Sequence, residues 1–341
     1  MKAMKMKVMK IILRAYCFLS RRGKHSLGEH KAAPKNIVIY STTALGDYLM
    51  NTPSIVHLKH KFPDSKIILV TSKKNYSLVV QYDWFDHIYV WDNKVVRVLP
   101  LLFKLRKHKP EISVILHAHY PYDVLCAVLS GSKMILRDHY GHEPADLNSY
   151  LDYYSGFYEG HTIRRKLKLL ENLGGTPDDV TMYLPTARKI LPRQYLRQRI
   201  GFQLGASHDT RRWPVCFFSQ LACMLLNMDR DLEIIVTGTA SEKYLADDFL
   251  QQLPAHYQNN VTVMSGQTQL TELVMLVKSL DILVTGDTGP LHIAVAAGVK
   301  TVSLFSTANP AYTGPCQDPE KHIILHRPEG NKTQHPMMSI P

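Results

Sequence analysis

Short apolar runs rich in β-branched residues alternate with longer segments of helical periodicity along most of the chain. In the first half, the runs lie at 36–40, 66–70, 87–91 and 112–116, and the helical segments at 48–61, 95–107 and 122–129. Strands that alternate with helices predict a parallel sheet covered by helices on both faces. The first half therefore predicts a doubly wound α/β domain.

The second half repeats this alternation. Strand candidates lie at 199–204, 233–237, 261–264, 281–285 and 300–305, and helical segments at 215–227, 241–253, 270–279 and 290–297. Two Rossmann-like domains are therefore predicted, and we expect them to face a central cleft. Ligands bind outside the carboxyl ends of such sheets, so residues that directly follow strands are the best site candidates.

The segment between the two series holds a cluster of tyrosines, a basic helix near 164–173 and the helix stop Gly174-Gly-Thr-Pro177. Pro185 and Pro192 bracket the expected linker. We therefore assign residues 36–190 to the N-terminal domain and 191–330 to the C-terminal domain, with a flexible polar tail at 331–341. A length of 341 residues agrees with two domains.

Charge is concentrated at the N-terminus. Residues 1–35 hold ten Lys and Arg against the single acid Glu29, so they contribute +9 of the net +12. The remainder is nearly balanced, which argues against a nucleic-acid-binding surface on the fold. The five scattered cysteines fit reduced thiols in a cytoplasmic protein, and the apolar runs are too short for an integral membrane protein.

The basic extension at 1–35 has two structural interpretations, and the sequence leaves both open. As a helix over 4–22, it would place Lys7, Lys10, Arg14 and Arg21 on one face. The opposite face would hold the apolar residues Met9, Ile12, Leu13, Tyr16 and Leu19. Such an amphipathic helix can lie on an anionic cytoplasmic leaflet. The alternative is a disordered basic leader.

A strand-to-helix turn near the C-terminus has the chemistry of a phosphate site. Strand 281–285 is followed by Gly286-Asp-Thr-Gly-Pro-Leu-His292. Gly286 and Gly289 permit a tight turn, and Pro290 suits a first helical position. A helix N-terminus receives a diphosphate well. Asp287 can accept sugar hydroxyls or cap the helix, and His292 can contact phosphate or pack.

Two further turns follow strands. In Ser41-Thr-Thr-Ala-Leu-Gly-Asp47, one glycine and a bulky leucine disfavour a dinucleotide fingerprint. Asp47 suits either a general base or a helix cap. In Gly205-Ala-Ser-His-Asp-Thr-Arg-Arg-Trp-Pro214, Ser207 can donate to phosphate, while Arg211 and Arg212 can neutralise a departing nucleoside diphosphate.

Other candidates are identified from their positions relative to strands and helices. Glu242, at the start of a helix, can bind ribose hydroxyls or complement the helix dipole. Lys73 and Lys74 follow a strand and can meet an anionic acceptor. His117 and His119 lack a third ligand nearby, so we expect no metal there. Asp229-Arg-Asp231 precedes a strand and lies at the wrong end of the sheet for a metal–diphosphate.

Two motifs together give a family resemblance. Ala44-Leu-Gly-Asp-Tyr-Leu-Met-Asn-Thr-Pro-Ser54 and Gly286-Asp-Thr-Gly-Pro-Leu-His292, with Ala297-Gly-Val-Lys-Thr-Val-Ser-Leu-Phe305, resemble the ADP-heptose:lipopolysaccharide heptosyltransferases, glycosyltransferase family 9. The resemblance spans about residues 36–328. It implies the GT-B architecture and an inverting transfer without a metal.

The resemblance also implies roles for residues. Asp47 takes the place of the general base, and the implied donor-binding positions are Ser207, Arg211, Glu242, Asp287, Thr288, Gly289 and His292. Arg212 is a further donor candidate because of its charge. The acceptor candidates, Lys73, Lys74, His117 and His119, come from their positions after strands and not from the resemblance. Three features depart from the family pattern: Phe305-Ser-Thr-Ala-Asn-Pro310, the two histidines after strand 112–116, and the long N-terminal extension.

The implied reaction is heptose transfer from ADP-heptose to the lipopolysaccharide core. We expect the enzyme to need no cofactor, to contact the cytoplasmic face of the inner membrane, where its lipid-anchored acceptor lies, and to bind no nucleic acid. Three alternatives stay open: a transferase with another nucleotide-sugar donor, a nucleotide-sugar epimerase of similar fold, and a non-catalytic relative at the membrane.

Overall fold

A computed structural model of the chain describes residues 2–22, 33–139, 145–156, 158–185 and 197–326. The chain divides into two compact units, Met1–Val180 and Thr181–Pro341. The boundary expected at residue 190 and the expected flexible tail at 331–341 lie outside the described residues.

Unit 1, which is Met1–Val180, is built on one parallel sheet. The strands are β1 (Asn36–Ser41), β2 (Lys66–Thr71), β3 (His87–Val90), β4 (Ile112–His117), β5 (Met134–Arg137) and β6 (Tyr153–Tyr154). The helices are α1 (Lys2–Ser20), α2 (Leu45–Lys61), α3 (Tyr76–Val79), α4 (Val98–Lys107), α5 (Tyr122–Leu129) and α6 (Thr162–Leu170). The strand order is β3-β2-β1-β4-β5-β6.

The central strand explains why apolar runs predicted this sheet. Ile37 to Tyr40 of β1 are all fully buried, and β1 pairs in parallel with β2 on one side and β4 on the other. A strand covered by helices on both faces needs apolar residues at every position rather than at alternate ones. The continuous run in the sequence therefore marks the middle of the sheet.

Unit 2, which is Thr181–Pro341, repeats the arrangement. The strands are β7 (Arg199–Gln203), β8 (Glu233–Thr237), β9 (Val261–Val263), β10 (Ile282–Gly286), β11 (Lys300–Phe305) and β12 (His322–His326). The helices are α7 (Val215–Met228), α8 (Lys243–Gln252), α9 (Ala255–Gln258), α10 (Leu270–Lys278), α11 (Gly289–Ala296) and α12 (Pro310–Thr313). The strand order is β12-β11-β10-β7-β8-β9, with every pair parallel.

In both sheets, the order of the strands reverses at the first strand of the unit. In unit 1 the chain moves outward from β1 through β2 and β3, then returns to the other side of β1 with β4. In unit 2 the reversal lies between β7 and β10. Right-handed crossovers place the helices of the two halves on opposite faces, which leaves a crevice at the carboxyl ends of the two central strands. The doubly wound α/β prediction is confirmed in both units.

Three strands were not predicted, and β5 shows why. It is only four residues long and ends in Arg137, a charged residue that sequence patterns assign to the surface. In the structure, the Arg137 side chain is 1% exposed, and its Nε lies 2.9 Å from Oδ2 of the fully buried Asp123. This internal ion pair, invisible in a hydropathy pattern, lets the strand sit inside the sheet. The other two are β6 and β12.

The N-terminal extension folds as a helix that packs on unit 1. Met9 and Leu13 of α1 are buried in the same core as Val98 of α4 and Val124 of α5. Beyond the helix, Arg22 is held by Asp152, with Nη2 to Oδ2 at 3.0 Å. The disordered alternative therefore does not describe residues 2–22. The apolar face that was expected is only partly used, because Ile12 and Leu19 remain exposed.

No helix among the described residues combines the length and the apolar character that crossing a membrane requires.

We predict that Leu13→Ala destabilises unit 1 by about 2–5 kcal/mol, because it removes a fully buried leucine from the contact of α1 with the core. The matched control Ile11→Ala changes an apolar residue of the same helix that is 64% exposed, so its effect should stay within about 0.5 kcal/mol. Urea unfolding in a Trp213→Phe background reports on unit 1 through Trp84 and Trp91. Equal midpoints for the two variants would contradict the packing of α1.

Candidate active site

In unit 2, the candidate donor residues follow three strands that are neighbours in the sheet, and one further polar residue follows a fourth strand. Gly205 to Arg212 follow β7, Glu242 follows β8, Asp287 to His292 follow β10, and Ser306 follows β11. The sheet order β11-β10-β7-β8 brings these loops to one carboxyl edge. The reversal between β7 and β10 lies at the centre of that edge, where α/β sheets bind ligands.

The turn between β10 and α11 is compact and internally bonded. The hydroxyls of Thr285 and Thr288 are 2.9 Å apart, and α11 begins at Gly289 with Pro290 in its first turn. A side chain at Gly286 would place its Cβ 2.8 Å from the carbonyl oxygen of Arg211. Glycine is therefore required here, because the loop after β7 passes directly over the turn.

An ion pair joins these two loops. Nη1 of Arg211 lies 3.4 Å from Oδ2 of Asp287, and the arginine side chain remains 36% exposed. The loop that carries Arg211 is also fixed by Ser306, whose hydroxyl donates to the carbonyl of Thr210 at 2.8 Å. Contacts from the residues that follow β10 and β11 thus orient Arg211 at the carboxyl edge, and its guanidinium remains partly open to solvent.

The two adjacent arginines point to different partners. Arg212 Nη1 donates to the Tyr244 hydroxyl at 3.0 Å, and its Nη2 lies 3.0 Å from Asp209 Oδ1. Trp213 is buried and packs edge-on against Phe218, with ring centroids 4.8 Å apart. Only Arg211 is thus paired with the β10–α11 turn. Ser207 is exposed in the same loop.

Glu242 is engaged in holding its own loop. Its Oε2 accepts from the backbone N–H of Thr239 at 2.8 Å and from the Thr239 hydroxyl at 2.9 Å. The carboxylate also lies over Gly205, where a Cβ would fall 2.0 Å from Oε1. Glu242 thus caps the start of its helix, and it also lies beside the loop that carries Arg211.

His292 is only 4% exposed, one turn into α11. This burial favours the packing alternative over direct contact with a ligand at the surface.

In unit 1, the turn after β1 is held rigid by polar side chains from neighbouring loops. The hydroxyl of Thr42 donates to Oδ1 of Asn93 at 2.8 Å. The carbonyl of Thr43 accepts from the Ser72 hydroxyl at 3.2 Å and from Nδ2 of Asn75 at 3.1 Å. These contacts fix the start of α2, and with it the position of Asp47.

Asp47 lies at the strand-order reversal of unit 1 and faces His117. Oδ1 of Asp47 is 3.5 Å from Nδ1 of His117, with the two side chains 24% and 15% exposed. Its Oδ2 accepts from the backbone N–H of Ala44 at 3.3 Å, so the helix-cap role is also present. The structure thus brings the proposed base together with one of the two histidines that depart from the family pattern.

The electrostatics keep Asp47 ionised. Burial raises its pKa, but the hydrogen bond and electrostatic attraction of His117, together with the nearby Lys166, outweigh burial and hold the pKa of Asp47 well below its usual range. The carboxylate is therefore available as a proton acceptor at any physiological pH.

Lys166 also lies at this site, although the sequence pattern did not predict it. It lies on α6, is 1% exposed, and its ammonium donates to Oδ1 of Asn51, whose Nδ2 donates to the Ser41 hydroxyl at 2.7 Å. Burial lowers the pKa of Lys166 to about 8. A signal was present: Lys166 falls between Ile163 and Leu170 on the apolar face of α6, where a lysine needs an internal partner.

The other acceptor candidates are at the same edge of the sheet but exposed. Lys73 and Lys74 follow β2, and His119 follows β4 with its ring centroid 6.1 Å from that of Tyr122. Within the described part of unit 1, no hydrogen bond or ion pair joins them to Asp47. Asp229 lies at the C-terminal end of α7, before β8, so the Asp229-Arg-Asp231 segment is at the opposite edge as expected.

Two doubly wound sheets, one in each unit, make the GT-B fold, which the solved structures of family 9 glycosyltransferases share. The model of glycosyltransferase family 9 (heptosyltransferase) matches residues 144–338. The chain belongs to this family and is therefore a glycosyltransferase.

Individual relatives agree with this assignment. Lipooligosaccharide heptosyltransferase 2 of Campylobacter jejuni is 24% identical over 298 residues, which cover 84% of this chain and 86% of the relative. Among solved structures, a glycosyl transferase family 9 protein from Veillonella parvula has a TM-score of 0.74 at 21% identity and covers 87% of each chain. Escherichia coli ADP-heptose lps heptosyltransferase II has a TM-score of 0.74 at 18% identity, covering 89% of this chain and 94% of its own.

The buried Lys166 leads to a prediction for stability. Its pKa is about 8 in the folded protein against 10.5 ordinarily, so between these values the unfolded chain binds the proton and the folded chain does not. The free energy of unfolding of the wild type should therefore rise with pH, relative to Lys166→Met, by about 2 kcal/mol between pH 8 and 10.

The control is Lys168→Met, which changes an exposed lysine of the same helix. Urea unfolding at several pH values measures both differences. If the wild type and Lys166→Met showed the same pH dependence, Lys166 would not be the buried, neutralisable ammonium that the structure shows.

Proposed function

We propose that this enzyme transfers a heptose from ADP-heptose to a sugar hydroxyl of the lipopolysaccharide core, with inversion and without a metal. The observation that carries the proposal is the Arg211–Asp287 pair at the strand reversal of unit 2, beside the start of α11. Membership of the heptosyltransferase family and the names of the relatives support the donor and the acceptor class.

In the proposed complex, the diphosphate of the donor lies at the N-terminus of α11. Backbone N–H groups at Thr288 and Gly289 point out of the helix, and the helix dipole adds partial positive charge there. The exposed donors of Arg211 neutralise the charge that develops on ADP as it leaves. Asp287 orients Arg211 and accepts hydrogen bonds from hydroxyls of the heptose, while the Ser207 hydroxyl donates a hydrogen bond to phosphate.

The remaining donor candidates have supporting roles in the proposal. Glu242 has one carboxylate oxygen in its capping bonds and uses the other for the ribose hydroxyls. Arg212 is braced by Tyr244 and Asp209 and adds positive charge to the loop. His292 supports α11 from inside unit 2.

The chemical step is a single displacement. The acceptor hydroxyl oxygen bonds to the anomeric carbon of heptose while the bond from that carbon to the phosphate oxygen breaks. The hydroxyl proton passes to Asp47, and ADP leaves with the electron pair of the broken bond. His117 holds Asp47 in place and ionised. Lys73, Lys74 and His119 contact anionic groups of the acceptor core.

The acceptor class sets the place of action. Lipopolysaccharide core is assembled on a lipid anchor, so we propose that the enzyme works in the cytoplasm, in peripheral contact with the inner membrane.

We predict that Asp47→Asn lowers kcat/KM by roughly 100- to 10,000-fold, because the amide cannot accept the proton. ADP release is measured with ADP-heptose and a core oligosaccharide, and the product mass shows which sugar was added. The control Asp64→Asn removes an exposed carboxylate of the same unit and should be neutral.

The same assay separates the alternatives. A product formed from the donor alone would indicate an epimerase. Turnover with a different nucleotide sugar would show that the enzyme uses another donor. Full activity of folded Asp47→Asn would refute the general-base role. Turnover that persists in EDTA is expected for a metal-independent enzyme.

A second prediction concerns pH. Because His117 is a leading cause of the low pKa of Asp47, His117→Gln should let burial raise that pKa. Asp47 acts as the carboxylate, so the acidic limb of the kcat/KM profile should move to higher pH. His119→Gln changes the exposed neighbour and should leave this limb in place. An unmoved limb in His117→Gln would show that the 3.5 Å pair does not control Asp47.

A further inference from the structure

Helix α1 is apolar on two opposite faces. One face packs on unit 1 through Met9 and Leu13. The other is directed to solvent, although its side chains are large and apolar and recur at helical spacing. Their exposed fractions are 67% for Met4, 51% for Val8, 64% for Ile11, 46% for Ile12, 85% for Phe18 and 80% for Leu19.

A basic edge borders this exposed face. Lys7, Arg14 and Arg21 are exposed and separated by seven residues, so they follow one side of the helix. The sequence of α1 contains no acidic residue. The exposed face is therefore flanked by positive charge.

Helix α4 continues this surface. Leu99 and Phe103 are 61% and 64% exposed, and Val96 just before the helix is 80% exposed. α4 contributes to the same core as α1, and the Arg106 guanidinium lies 6.0 Å from the centre of the Tyr16 ring. Lys104 and Lys107 are exposed on the same helix. We call the exposed residues of α1 and α4, with Val96 and Arg21, the α1–α4 surface.

We propose that the α1–α4 surface docks on an anionic lipid bilayer, with the apolar side chains inserted at the interface and the basic residues against lipid phosphates. Apolar residues beside a basic edge are the pattern of helices that lie in a membrane interface. Continuous exposed apolar surface is uncommon on proteins that lack a partner for it.

Charge selects the bilayer over a second copy of the chain. A symmetric dimer through this surface would use the same patch of both copies, so it would bring two sets of Lys7, Arg14 and Arg21 into one interface. Among the described residues, the acids beside the surface are already paired, Asp146 with Lys10 and Asp92 with Arg97. An anionic bilayer supplies the missing negative charge without any change in the protein.

This proposal extends the proposed function by naming the surface that meets the membrane. It is tested separately, because binding to vesicles requires neither the donor nor a core acceptor. Loss of transferase activity and loss of membrane binding are therefore distinguishable.

The experiment is co-sedimentation of the full chain with phosphatidylcholine vesicles that contain or lack phosphatidylglycerol. The apolar variant is Ile11→Ser/Phe18→Ser/Phe103→Ser, and the basic variant is Lys7→Gln/Arg14→Gln/Arg21→Gln. Matched controls in unit 2 are Met224→Ser/Met228→Ser, which changes residues 65% and 84% exposed, and Arg197→Gln/Arg230→Gln/Lys300→Gln, which removes the same charge.

The wild type and both controls should bind the anionic vesicles and bind the uncharged vesicles weakly. The basic variant should lose roughly 100-fold in partitioning, and the apolar variant at least about 10-fold. Binding by both variants at the wild-type level would overturn the proposal. So would a wild-type dimer that the apolar variant converts to a monomer, because the surface would then serve a second copy.

Discussion

The reversal of strand order beside β1 and β7 is the constraint on which the rest of the structure depends. Parallel strands can be joined only by crossovers, and these crossovers have one hand, so a sheet that grows in both directions from its first strand must send its helices to opposite faces. The crevice that this leaves at the carboxyl edge follows from backbone chirality. Side chains at the two central strand ends then determine what the crevice can do.

The two units fill this crevice in chemically opposite ways. In unit 2, Arg211 is left partly exposed beside a helix N-terminus, so the edge favours an anion. In unit 1, the side chain at the corresponding place is Asp47, which His117 and Lys166 keep ionised. In the proposed reaction, unit 2 thus supplies positive charge for the leaving group, and unit 1 supplies an electron pair for the proton. The same backbone plan supports both because only the loops differ.

Much of this could be predicted from the sequence. Strands buried on both faces leave continuous apolar runs, and β1 and β10 were found in this way, together with the turns that follow them. The pairing of Asp47 with His117 could not be predicted, because it depends on a register shift: Tyr40 pairs with Ile115, but Ser41 pairs with His117. Without this shift, Ser41 would face Leu116. Lys166 was missed because its partner, Asn51, is distant in sequence.

The contact between Glu242 and Gly205 links two positions that are far apart in the chain. Because the carboxylate occupies the space where a side chain at residue 205 would begin, residue 205 cannot gain a side chain while Glu242 keeps its place. A descendant of this chain with alanine after β7 must first move or shorten the side chain at 242. Loss of the acid at 242, in turn, removes the steric reason for glycine at 205. The order of substitutions open to this loop during evolution is therefore set by its geometry.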